Sequence, residues 1–515
     1  MVRTHSRRLA ETAMVVVAIA IGTLLFAWPS FVNGGPFFLA DTTAYLRSAD
    51  AVSSTVFGTT TQWSDKLDLY VDHAVADAPV EQMDRDDLIV EKRAPLLGRS
   101  VYFGLVLFAP TVLLTERSLP ILQGLFVSVL LWALLGPMLR QNTPLDRCAR
   151  FAALCAALAF FTPLAFQTSL AMPDYLSGLG AIGLVSLIAF WRRYNKLEIL
   201  VLSSVVLFSV VSHSSNILLI AIISIAGFLL LLLRQGVSRK AVALGFVMCI
   251  FAIISELVFL KVVEQQIGVE PIRPPFLTAR LIDDGPGNLL ITERCGEVDF
   301  TVCDFADRTP LPSNAFLWHP DESEGVFSAA DEEVRRKLSA EDARFALATF
   351  VSFPIETIGS SFRAFARQLT LFRFTLFKRI GHSQNLSPNY PAEVQTRMAG
   401  TLNFQGTMPV EFVQLSSIIG TIISLPVLLG ILVLNHRSKR PDLRALSYWI
   451  FLVLIAVLAN AAIAGALSIP EARYTLRIIW VIPFAAVVSA YCVLRLRPFV
   501  TDRDGAPACR VSNAP

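Results

Sequence analysis

Charge is what this sequence has least of. Charged residues make up 17 % of the 515, against 54 % hydrophobic ones, and the mean hydropathy is +0.58. That balance excludes an ordinary soluble protein. The formal charge of +3 gives no sign of a nucleic-acid partner, and none is expected. No C-x-x-C pair occurs among the seven cysteines, and no His/Cys cluster has zinc spacing, so the structural-zinc and dithiol-redox classes drop out. There is no internal repeat and no low-complexity tract beyond the tail, 499–515. Ser212-His213 has no elbow motif around it to support a Ser–His nucleophile.

Long apolar runs take the place of these features. They fall at about 13–32, 119–139, 151–168, 175–191, 197–213, 216–233, 241–262, 411–434, 445–467 and 474–494. Runs of this kind cross a hydrocarbon core of roughly 30 Å as helices, whose backbone groups satisfy one another. The fold class expected is an all-α polytopic membrane protein of about 10–11 transmembrane helices. The eleventh candidate is Val101–Leu114, which is short for a crossing and reads as a tilted, re-entrant or interfacial helix. Arg3, Arg7 and Arg8 before the first run resemble a signal peptide, but Trp28-Pro29 is no small-residue cleavage site, so the run is read as an uncleaved span.

Basic residues crowd alternate connections: Arg140, Arg147 and Arg150; Arg192, Arg193 and Lys196; Arg234, Arg239 and Lys240; Arg437, Lys439, Arg440 and Arg444. The positive-inside rule makes these cytoplasmic, together with both termini, in what is expected to be a bacterial inner membrane. Segment 33–98, with eleven acids against five bases, then lies outside. So does 263–410, which is long enough for a small mixed domain. The organisation expected is a module 1–262, the outer segment 263–410, closing helices 411–498 and the tail 499–515. Cys295 and Cys303, eight residues apart, are the only cysteines on the outer side, and a local disulfide is plausible there.

The polar residues expected at the outer face come from separate parts of the chain. Asp41 opens a predicted helix near Ala40–Ala49, with Tyr45 on the same face. Its carboxylate suits either a helix cap or a catalytic group. Arg99 and Tyr102 lie in GRSVYF, Asp174 in AMPDYL, His213 in SHSSN, and Arg473 and Arg477 in PEARYTLR. Asp174 also suits the start of a helix, and His213 a hairpin turn. The stretch from Phe362 to Arg379 carries Arg363 and Arg367 four apart beside an apolar stripe. It reads as an amphipathic interfacial helix facing either anionic lipid or the phosphate of a polyprenyl-linked substrate. The acidic run Asp84–Asp87 has oxygen ligands for a divalent cation but reads more simply as a solvated loop. No cofactor is expected.

In order, these features resemble the GT-C class of polytopic glycosyltransferases, which includes protein mannosyltransferases and aminoarabinose transferases. Asp41-Thr42-Thr43-Ala44-Tyr45 matches the class's D-x-x-x-Y after the first span. Gly98-Arg99-Ser100-Val101-Tyr102 keeps the Arg and Tyr of its R/K-P-P-x-Y segment without the prolines. Ala171-Met172-Pro173-Asp174 matches its small-Pro-acid motif. The resemblance covers roughly residues 10–260. It implies a GT-C-like arrangement and an inverting transfer of a sugar from a polyprenyl-phosphate donor to a glycan, lipid or protein acceptor on the extracytoplasmic side of the membrane. Asp41 would act as general base, with Arg99, Arg473, Arg477 or the Arg363–Arg367 helix cradling the phosphate. A transporter or flippase of a lipid-linked saccharide, or a polysaccharide polymerase or ligase, is the competing expectation.

Overall fold

The computed structural model describes residues 2–58, 61, 63, 99–113, 115–140, 142–267, 270–378, 390–436 and 440–496. Among them there is no strand. The only sheet-like pairing among the described residues is an isolated parallel bridge between Phe37 and Leu170. Among the described residues, eight helices are long and apolar enough to cross a membrane: Leu9–Asn33, Ser118–Leu139, Tyr175–Arg193, Ser214–Leu232, Arg239–Gln265, Glu411–Asn435, Pro441–Leu467 and Ala472–Arg495. The chain is a multi-pass, all-α membrane protein.

Eight is fewer than the ten or eleven expected, for reasons visible in the chain. The run 151–168 is split: a helix ends at Phe161, Thr162-Pro163 interrupts it, and a short helix Leu164–Ser169 follows. Proline there removes an amide and disfavours helix in the residue before it. The run 197–213 forms the helix Lys196–Ser212, only 17 residues long. Val101–Leu113 is shorter still, at 13.

Burial sorts the spans into layers. Tyr175–Phe190 is enclosed almost throughout, while Arg239–Gln265 and Glu411–Asn435 keep most of their apolar side chains on the surface. A helix that is apolar all round but half exposed suits a hydrocarbon surrounding rather than water. Helix Ala472–Ile479 lies directly on Tyr175–Phe190, and Gly178 makes that possible. A Cβ at Gly178 would fall 2.5 Å from Trp480 Nε1 and 2.8 Å from the Arg477 carbonyl.

Within residues 270–378, a separate apolar core gathers Ile272, Phe300, Phe316, Phe327, Leu338 and Phe345, while Phe374 and Phe377 join the main core. This region is helical, not mixed as expected. Four of its prolines mark helix starts: Pro286 and Pro354 sit at first-turn positions, and Pro275 and Pro312 immediately precede helices. Cys295 and Cys303 are joined as a disulfide, with Cα atoms 5.6 Å apart. The one amphipathic helix expected from Phe362 to Arg379 is interrupted: its first part belongs to Pro354–Leu369, which is bent by 110° from Glu332–Ser352, and the short Thr375–Lys378 follows.

A strap then runs back over the end of the first helix. That helix ends at Asn33, and Gly34 takes φ +88°, a conformation that costs glycine least. Asn33 accepts Leu402 N at its carbonyl (3.1 Å) and Asn403 N at Oδ1 (2.8 Å). The Tyr390 hydroxyl donates to the Leu39 carbonyl at 2.6 Å, and Arg397 pairs with buried Glu116. The acidic run 84–87, Arg379 and the tail 499–515 lie outside the described residues.

Candidate functional site

The strap and the Phe37–Leu170 bridge together fix where the Ala40–Phe57 helix begins. Phe37 N donates to Ser169 O at 3.0 Å, and Ala171 N to Phe37 O at 2.9 Å. The Thr42 hydroxyl accepts Leu39 N and donates to Ala171 O, so Thr42 performs the local capping. Asp41 lies one residue inside the helix and is left for another task. Its carboxylate still benefits from the first-turn dipole.

That carboxylate sits between two guanidiniums. Oδ1 is 2.7 Å from Arg99 Nη2, and Oδ2 is 3.2 Å from Arg473 Nη1. The Asp41 side chain retains 27 % exposure, so the group is enclosed but reachable. Burial raises its pKa, but Arg99 and Arg473 outweigh that and hold it well below the usual carboxylate range. Ser100 anchors the Arg99 segment by donating to the Val211 carbonyl at 2.6 Å.

Arg473 belongs to a built array. Its Nη2 donates to the Tyr474 hydroxyl at 3.1 Å, and both Arg473 and Arg477 lie over the Tyr474 ring at 4.9 Å. Arg477 is buried and donates from Nε to Asn460 Oδ1 at 2.8 Å. Asn460 Nδ2 donates in turn to the Tyr474 carbonyl at 2.7 Å. From the helical region, Gln368 clamps the start of the same helix. Its Nε2 donates to Glu471 O and Thr475 Oγ1, both at 2.8 Å, and its Oε1 accepts Glu471 N at 3.0 Å.

Asp174 lies within electrostatic reach of Arg473 and Arg477. It is buried at the N-terminus of Tyr175–Phe190, yet its side chain makes no capping bond there. No ion pair within 4 Å joins it to either arginine. Asp174 Oδ1 and Arg477 Nη1 both lack a hydrogen-bond partner among the described residues. His213 caps the helix Ser214–Leu232, accepting Ser215 N at Nδ1 (3.2 Å). Burial, then the positive charges of Arg477, Arg99 and Arg473, hold its pKa well below the usual value and keep the imidazole neutral.

Asp41, Arg99 and Arg473 are thus in contact, with Arg477, Asp174 and His213 around them. Tyr102 is engaged elsewhere, its hydroxyl paired with Ser255 Oγ. Arg363 and Arg367 are exposed and do not pair with Asp41; Arg363 acts on Asp284 instead. Sequence reasoning missed Tyr474, Asn460, Gln368 and Tyr390. Asn460 did carry a signal, as a lone amide in the apolar run LANAAIAGAL. Tyr45 is buried, edge-to-face with Phe103 at 5.3 Å, and serves packing.

No group of three or more His, Cys, Asp or Glu side chains suited to a metal ion occurs among the described residues. Chemically, the array offers one carboxylate with a displaceable pair of cations, a third cation behind them, and a second buried acid. No family model, no curated protein and no solved structure matches the chain.

Proposed function

We propose that this chain is a membrane glycosyltransferase of GT-C-like type. It takes a sugar from a polyprenyl-phosphate donor and passes it to an acceptor on the extracytoplasmic side. The observation that carries this reading is the Arg99–Asp41–Arg473 arrangement. In it, one carboxylate bridges two guanidiniums that are each suited to anion contact, leaving a net positive charge.

A carboxylate so paired is a weak base. The donor changes that. Its phosphate diester competes for Arg99 and Arg473, and an arginine that turns to phosphate gives up an Asp41 oxygen. Asp41 then accepts the proton of the acceptor hydroxyl as its oxygen attacks the anomeric carbon. The bond from that carbon to the phosphate oxygen breaks, and the phosphate leaves with the electron pair. Charge on the leaving phosphate grows from one to two as the bond breaks. The guanidiniums therefore bind the transition state more strongly than the ground state. Arg477 supports the array from behind, and Asp174 faces the sugar or acceptor hydroxyls with its unpartnered oxygen.

The test is sugar transfer by the full chain in lipid nanodiscs with a polyprenyl-phosphate sugar. Asp41→Asn is expected to lower turnover by about 10²–10⁴-fold while donor binding persists. Arg473→Ala is expected to weaken donor binding, because a charge-assisted contact is lost. Transfer at the parental rate by Asp41→Asn would overturn the assignment. Donor flipping without any transfer would favour a flippase.

A further inference from the structure

The helices Glu332–Ser352 and Pro354–Leu369 together have the length and apolarity of a span, but they fold back at 110°. Between Arg344 and Arg363 the only charged residue is Glu356. The first helix begins with charged, water-seeking turns (Glu332, Glu333, Arg335, Arg336, Lys337) and ends in apolar ones. At and beside the bend, Leu347, Phe350, Val351, Ile355, Ile358 and Phe362 are all exposed, Ile355 to 81 %. On the second helix Ile355, Ile358 and Phe362 share one face by their spacing, while Thr357, Ser360, Ala364 and Gln368 are buried on another.

The depth of this elbow is set by what it packs on. Helix Pro354–Leu369 lies against the end of the span Pro441–Leu467. The close approach there depends on Gly465, where a Cβ would fall 2.7 Å from Phe365 N. A cavity of about 350 Å³ opens between them, lined by Phe350, Ile358, Phe362 and Phe365 and floored by Ala462 and Ala466. Those alanines belong to the last turns of a membrane-spanning helix, so the exposed stripe of the elbow continues the hydrocarbon-facing surface of that span, where Leu467 is exposed as well. A patch of this extent is unfavourable in water.

We infer that the elbow is a membrane-seated hairpin, its apolar stripe and cavity covered by the acyl chains of bilayer lipid. Glu356 is exposed at the first turn beyond the bend and holds the insertion shallow, with its carboxylate at head-group level. Arg363 and Arg367, exposed two and three turns further on, meet lipid phosphates. The hairpin that carries Gln368, and through it the arginine helix, is therefore docked on the bilayer as well as on the protein. This inference does not depend on the transferase reading.

The experiment places a nitroxide on Ile355→Cys in the full chain, with every cysteine except Cys295 and Cys303 replaced by alanine. Nanodiscs of phosphatidylcholine and phosphatidylglycerol supply the bilayer. Collision with oxygen is expected to exceed collision with a water-soluble nickel chelate at Ile355. The order should reverse at Lys337→Cys, on the charged end of the same hairpin. Val351→Cys gives a second reading should the Ile355 variant fail to fold. Nickel access at both bend positions equal to that at Lys337 would overturn the proposal. Strong dipolar coupling between labels in two copies would overturn it equally, by showing that a second protein covers the stripe.

Discussion

Asp41 and Arg473 are 432 positions apart in sequence, and their contact sets the chemistry of the site. Its pH behaviour follows from the lowered pKa. A carboxyl held below its unfolded value contributes stability that is fully present above the unfolded pKa of about 4 and is lost as pH falls through the lower folded value. Asp41 is therefore ionised at every ordinary working pH, and its protonation should produce no acid limb in kcat/KM of the free enzyme between about pH 5 and 8. A limb in that window that vanishes in Asp41→Asn would contradict the two-arginine environment. Asn460 permits a stability test. Its Oδ1 takes Arg477 Nε, so Asn460→Ala leaves a buried guanidinium short of a partner, at a cost of about 2 kcal/mol. Unfolding in detergent measures this, and an unchanged midpoint would show that Arg477 finds another acceptor. Asp41, Arg473 and Arg477 stood out in the sequence as polar groups beside apolar runs. Nothing local could disclose that Arg363 and Arg367 are exposed and unpaired with Asp41, because a basic amphipathic helix looks the same whichever side it presents.

Among the elements, the short helix Ala472–Ile479 matters most. It is held by Gln368 on one side and by the bare surface of Gly178 on another. Gly178→Ala should push that helix off its seat, because the new methyl meets the Arg477 carbonyl and the Trp480 ring. Overpacking of this kind costs about 1–3 kcal/mol. The expected signature is weakened binding of a polyprenyl phosphate at retained helicity, and unchanged binding would show that the seat yields. Elsewhere, Asp342 caps the helix Phe276–Asp284 from a distant position, accepting Thr278 N at 2.7 Å and Thr278 Oγ1 at 2.8 Å. Asp342→Ala should lower stability by about 1.5–3 kcal/mol, read from the unfolding midpoint. Caps of this kind are invisible in sequence, since the acid lies 64 residues from the amide it satisfies. The first-turn positions of Pro286 and Pro354 were not legible, because proline punctuates loops and opens helices equally well.

At the scale of the molecule, apolar run length made the membrane class and most of the spans legible, since lipid demands long self-satisfied helices. It overstated the number of clear crossings where Pro163 splits one run and where Lys196–Ser212 falls short. The helical nature of 270–378 was not legible, because its elements are short and their apolar residues serve a core built from distant pieces.

The strap over Asn33 has a consequence for how the chain is made. The helix that ends at Asn33 presents a side-chain amide oxygen and a backbone carbonyl whose partners, Asn403 and Leu402, are synthesised some 370 residues later. Arg473 follows later still. The candidate site is thus joined from segments made far apart in time. Asp41 is synthesised 432 residues before Arg473, so the cationic pocket is completed only once the helix Ala472–Ile479 has been made.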